Sequence, residues 1–267
     1  MDRRNFMTAS LAASAVGLAG KATEALAQSG SGKAREYYML RKYQLRSGPG
    51  GKLTNTYVEQ ALIPALNRMG IAPVGAFSLT YGPETPALYV LMPSANLETL
   101  VNMDLRVQKD TAFVKAAEPF WNTPANAPAF EREESWLYIA FEGWPKLVVP
   151  PSTATKAKRI FQLRTYESPT HQDHVRKVEM FHSGEFDIFA RAGCQQVFYG
   201  DTLIGSRTPS LTYMLSFPDL SALTAGWDKF GSDPEWKKLS GSPRFNFEPT
   251  VSNVSNLVLT PTGYSQI

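Results

Sequence analysis

Slid against itself by 123 residues, the chain comes into register without a gap from Leu40 to Asp110. Leu40 meets Leu163, Arg41 meets Arg164 and Tyr43 meets Tyr166, while Arg68, Gly70 and Val74 meet Arg191, Gly193 and Val197. Further along, Gly82, Thr85, Pro86 and Leu88 fall on Gly205, Thr208, Pro209 and Leu211. Leu97, Leu100 and Asp110 fall on Leu220, Leu223 and Asp233. The matches sit where structural punctuation belongs and the apolar pattern travels with them, so one unit is used twice. Whatever the fold, half of the chain must be able to build it.

Each copy reads alike. Period-two alternation with aromatics predicts a strand at 37–45 and again at 159–166. Helical stretches follow at 54–69 and 171–192, ended by Gly70 and Gly193 as left-handed caps. Two strand-like runs come next, 71–80 and 88–92 in the first copy, 194–203 and 211–217 in the second, joined by Gly- and Pro-bearing turns. A second helix runs from Ser94 to Lys115, or from Asp219 to Leu239, and a last strand closes each copy at 136–141 and 254–259. The order β-α-β-β-α-β is ferredoxin-like: an α+β unit with four antiparallel strands and both helices on one face. Its other face is uncovered, and burying it against a twin removes apolar surface from water. We therefore expect a first unit over 34–145, a Pro-rich linker over 146–158 and a second unit over 159–267.

The N-terminus reads as an export signal. Arg3-Arg4 and Phe6 precede a short apolar run from Met7 to Gly20, and Ala25-Leu26-Ala27 suits signal peptidase. The arginine pair resembles the twin-arginine motif, with Asp2 and Met7 as departures from its usual residues. That gives residues 1–27 as a cleaved signal and a periplasmic or otherwise exported product. The run is too short and too rich in Ala and Gly for a membrane anchor, which needs about 20 apolar residues.

Hydrophobic residues make up 43% of the chain, enough for a core, and the net charge of +3 is scattered, with no basic run that suggests nucleic acid. A single cysteine, Cys194, rules out an internal disulfide and reads as a small buried apolar residue rather than a reactive thiol. The tryptophans, among them Trp121 and Trp136, read as core and seam. No phosphate loop, HExxH, Ser-His-Asp order or CxxC is present.

Phe161-Gln162-Leu163-Arg164-Thr165-Tyr166, then Gly193, then Gly231-Ser232-Asp233-Pro234-Glu235-Trp236 before the final strand, resemble the NIPSNAP family. The first copy is similar more loosely, through residues 61–66 and Gly82-Pro83-Glu84-Thr85-Pro86. The resemblance implies a dimeric α/β-barrel, here from two copies in one chain. It implies no particular activity, since the wider superfamily includes cofactor-free monooxygenases, haem proteins and non-enzymatic modules.

In superfamily enzymes the pocket lies between sheet and helices, and one constellation points there. His171, His174 and His182 all lie on the first helix of the second copy, within an arc of about 80° at ideal helical spacing. Glu185 and the flanking Val175 and Phe181 extend that stripe. The first copy has Gly48, Gly51 and Glu59 at the three histidine positions, so the set belongs to one copy. His182 with Glu185 is the candidate catalytic pair, as a general base or as a ligand to haem iron or a divalent metal. His171, His174, Arg164 and Tyr166 are candidate binding residues, although Arg164 and Tyr166 recur in the first copy, which also suits a structural role. No dedicated metal site is expected. Two functions stay open: a module binding a small molecule or a partner, and an oxidoreductase or monooxygenase with or without haem. Homo-oligomerisation is compatible with both.

Overall fold

The computed structural model describes residues 34–246 and 250–267. The expected signal over 1–27, with Arg3, Arg4 and the Ala25-Leu26-Ala27 site, lies outside them. No helix among the described residues is long and apolar enough to cross a membrane.

Eight strands form: β1 (Tyr37–Leu45), β2 (Gly75–Tyr81), β3 (Ala87–Ser94) and β4 (Phe130–Ala140), then β5 (Ile160–Glu167), β6 (Gln195–Ile204), β7 (Ser210–Phe217) and β8 (Asn253–Pro261). β1 lies between β3 and β4 and β3 pairs with β2, all antiparallel; the second unit repeats this, with β5 between β7 and β8 and β7 against β6. The first residues of β5, β7 and β8 each lie 123 places after those of β1, β3 and β4, so the register persists well beyond Asp110.

The α+β, ferredoxin-like expectation holds, and the two sheets join by more than their faces. β2 pairs with β8 and β4 with β6, closing an eight-stranded barrel. Closure buries the inner faces against each other and leaves no sheet edge open. Tyr38, Leu40, Phe77, Phe161, Leu163 and Phe198 fill the interior. The alternate residues of the same strands face outward, where helices cover them.

The first unit's helices are α1 (49–68), α2 (Leu97–Val101), α3 (Met103–Val107) and α4 (Thr111–Trp121); the second's are α5 (171–191), α6 (Leu220–Ser232) and α7 (Pro234–Ser240). The second helical stretch of each copy is thus broken, where one helix was expected. Asp110 accepts hydrogen bonds from the amides of Ala112 and Phe113, and Asp233 from those of Glu235 and Trp236, each starting a new helix. The same aspartates bind the matched arginines: Arg68 Nε donates to Asp110 (2.8 Å) and Arg191 Nε to Asp233 (3.0 Å). Four matched residues therefore form one device, made twice.

β4 starts at Phe130, earlier than the expected 136. Its charged beginning hides the alternation, although Glu133 and Glu134 pair across the sheet with Arg41 and Lys42 of β1. Residues 146–158 carry only a short 3₁₀ turn at Pro151–Thr153, with the Val148 amide donating to the Val197 carbonyl (2.8 Å).

Candidate functional site

α5 is not one ideal helix. A π-turn at Phe181–Glu185 interrupts it, and α1 has its own at Val58–Leu62, 123 positions earlier. The inward face is also not centred on His171 as ideal spacing suggested, but is turned towards Lys177, Phe181 and Glu185. The buried face instead carries His174, Lys177, Met180, Phe181, Glu185, Ile188 and Phe189. Val175, expected beside the inward stripe, is 63% exposed.

The histidines separate accordingly. His171 is exposed. His174 is buried with Nε2 2.6 Å from Asp201 Oδ1 of β6, and its Nδ1 has no partner. His182 is exposed, and both ring nitrogens are engaged: Nδ1 lies 2.8 Å from the Val178 carbonyl, and Nε2 accepts from the Gly143 amide at 3.0 Å. That pattern fixes the neutral Nδ1–H tautomer, Nδ1 donating. His182 is a staple between α5 and the segment after β4.

Glu185 does not meet His182. Its carboxylate accepts from Lys177 Nζ at 2.9 Å, and both side chains are almost wholly buried. Burial pushes the Glu185 carboxyl up, against the opposing pull of Lys177 and Arg164. Lys177 Nζ also lies over the rings of Phe181 (4.6 Å) and Tyr166 (5.3 Å). Arg164 stacks on Trp227 (4.3 Å) and donates to Tyr166 Oη (3.1 Å), which in turn bonds Tyr213 Oη (2.9 Å). Arg164, Tyr166 and Glu185 are thus brought together, around a lysine that sequence reasoning missed, and the three histidines stand outside. Tyr199 and Tyr213, stacked with centroids 5.4 Å apart, fill the remaining space; burial holds both phenols well above their usual range. Cys194 is buried nearby, its thiol pushed up to about 12 by burial.

In the first unit the equivalent positions are smaller. Ala76 and Val90 stand where Tyr199 and Tyr213 are, and Thr54 and Leu62 where Lys177 and Glu185 are. A cavity of about 370 Å³ opens elsewhere in this unit, between the outer face of β1 and β4 and helices α1, α3 and α4, where Asp104 and Val107 stand opposite Trp227 and Phe230 of the second unit. Tyr57 and Phe120 form a stacked wall at 3.9 Å, with Phe130 against Phe120 on the far side. Trp121, expected in the core, is 43% exposed at the rim. Arg41 lies at the base, 4% exposed, held by Asp104 (Nη2 to Oδ2, 2.7 Å) and Glu133 (Nε to Oε1, 3.2 Å). Burial alone would lower the Arg41 pKa, but Tyr43, Asp104 and Glu133 together raise it. Burial pushes Glu133 up against Arg41's pull. One sign of this pocket was in the repeat: Asp104 and Glu133 fall opposite Trp227 and Asn256, so the two carboxylates that hold Arg41 have no counterpart beside Arg164.

Residues 161–266 match the family model described as NIPSNAP. The second unit is a NIPSNAP domain. No curated protein matches the chain. Among solved structures, candidate monooxygenases from Lactobacillus acidophilus and Fusobacterium nucleatum share the fold. The first is 9% identical with a TM-score of 0.54, over 85% of this chain and 94% of that one. The second is 8% identical with a TM-score of 0.55, over 85% and 93%. A NIPSNAP-like domain protein from Burkholderia xenovorans is 20% identical over 40% of this chain and 88% of its own, with a TM-score of 0.36.

The NIPSNAP domain does not fit a haem. An axial imidazole needs a free nitrogen facing a slot between sheet and helix; His182 has none, His174 is turned to Asp201, and tyrosines occupy the slot. The general-base role assigned to His182 meets the same obstacle, since its basic nitrogen already accepts a hydrogen bond. Among the described residues, no group of three or more His, Cys, Asp or Glu is placed to hold a metal ion.

Proposed function

We propose that the chain is an exported small-molecule-binding protein whose ligand sits in the first unit, while the NIPSNAP domain supplies the closed half that completes the barrel. The observation that carries this is a cavity of about 370 Å³ in the first unit, walled by Tyr57 and Phe120 and based on Arg41, at a place where the second unit has the larger Trp227, Phe230 and Trp236 opposite Asp104, Val107 and Phe113. A volume of that size suits a two-ring molecule. Its lining sets one guanidinium, Arg41, against two carboxylates, Asp104 and Glu133. The residual negative charge and the aromatic faces favour a flat cation.

Calorimetric titration with 2-naphthylmethylamine and 2-naphthoate tests the pocket. The amine is expected to bind at least tenfold more tightly, and Tyr57→Ala to weaken it about tenfold. Equal binding of the two, or binding that is lost in His182→Ala and kept in Tyr57→Ala, contradicts the reading. For export, the support is the Arg3-Arg4 signal pattern, and replacing both by lysine is expected to leave the protein in the cytoplasm on fractionation. An unchanged distribution removes that part.

A further inference from the structure

The barrel has a second cavity, of about 240 Å³, in the mouth where the two hairpin tips meet. Its walls are repeat-related: Leu40 and Leu163 form the floor, Lys42 stands opposite Thr165, Glu134 opposite Leu257, and Glu84 opposite Arg207. The cavity therefore lies on the internal pseudo-twofold of the duplicated chain. Two identical copies would make it symmetric; here the sides have diverged. The first unit contributes Lys42, 5% exposed, bound to Glu84 (2.5 Å) and Glu134 (2.8 Å). The second contributes neutral hydroxyls, with Thr165 against Thr212 (2.8 Å) and Thr202 against Ser210 (2.9 Å). Its one charge, Arg207, donates to Ser255 Oγ (2.7 Å).

We infer that this mouth is a binding site for a small neutral phenol, distinct from the pocket of the first unit. Three features select that class. The volume lies below the roughly 300 Å³ at which pockets for larger ligands begin, so one ring fits. Tyr89, Trp136 and Tyr138 line it together with the two leucines, an aromatic and apolar surround for a ring. The lining charges, Lys42 and Arg207 against Glu84 and Glu134, cancel, so a charged ligand would lose its hydration without a free counter-ion. The hydroxyl pairs can reorient to donate to or accept from a phenolic oxygen. Lys42 stays protonated, because its two carboxylates outweigh the lowering effect of burial, and Glu84 is held below its usual range by Lys42.

Titration of the full chain with p-cresol, benzoate and benzylamine tests this by calorimetry. In the native protein p-cresol is expected to bind at least tenfold more tightly than either ion. Glu84→Gln leaves the lining with an excess positive charge and should move the preference to benzoate; Arg207→Ala leaves an excess negative charge and should move it to benzylamine. Both positions are on the rim, with Glu84 50% and Arg207 56% exposed, so folding is expected to survive. No saturable p-cresol binding, one rank order in all three proteins, or p-cresol binding that is lost in Tyr57→Ala would overturn the inference.

Discussion

Lys177 shows how a single side chain can misdirect a reading of sequence. Ideal helical spacing put the histidines with Val175 and Phe181 on the inward face, and a lysine on a helix ordinarily marks the solvated side. Lys177 is in fact buried against Glu185 and two aromatic rings, and the face turns with it. Removing one member of a buried pair strands the other, so Lys177→Met is expected to cost about 3–5 kcal/mol, while Lys177→Met with Glu185→Leu should recover most of that. Urea melts check both. The pH dependence of Glu185 has a definite sign. Its folded-state pKa is raised, so the native protein binds this proton more tightly than the unfolded chain does. The stability contributed is complete at low pH and is lost as pH rises from the usual carboxylate range through the raised value. The native protein should therefore lose stability relative to Glu185→Gln as pH is increased from 4 to 7. For His182→Ala, the loss of two hydrogen bonds predicts about 1–2 kcal/mol and no change in ligand binding.

At the scale of elements, strands were the legible part, because alternation with aromatics at 37–45 is a local signal, and β1 forms over those residues. The breaks in the second helical stretch were not read, though their cause was in view. Asp110 and Asp233 were matched to each other, as were Arg68 and Arg191, but the contact of each aspartate with its arginine is made in space and leaves no local pattern. The π-turns were invisible for a similar reason: Val58–Leu62 and Phe181–Glu185 share position, not sequence. In the second, Gly184 has φ of 139° with nothing within 4 Å of an added Cβ, so only the backbone resists a side chain there. Gly184→Ala is expected to destabilise by about 1–3 kcal/mol, by strain alone. A wild-type thermal midpoint for that variant would mean that the turn relaxes without cost.

For the whole molecule, the repeat made the duplicated α+β architecture legible, but not how the halves join. Face-to-face burial followed from the uncovered sheet; pairing of β2 with β8 and β4 with β6 depends on strand ends that match only in three dimensions. The C-terminal residues reinforce the first seam: Thr262 and Gln266 donate their amides to Ala76 (2.9 Å) and Val74 (3.0 Å). Alone, residues 34–145 would expose β2, β4 and the aromatic interior, so that fragment should be dimeric or insoluble on size exclusion rather than a stable monomer. Both proposed sites inherit this closure, one because a barrel wall backs it and one because the two tips enclose it.

The most direct test is a crosslink across the seam. Thr80 and Thr260 place their hydroxyl oxygens 2.7 Å apart at the junction of β2 and β8. With cysteines at both positions, mild oxidation of the dilute protein should give a disulfide within one chain, seen by peptide mass mapping, at high yield and without loss of fold. No disulfide, or one formed only between chains, would mean that the two repeats do not close a barrel within a single chain.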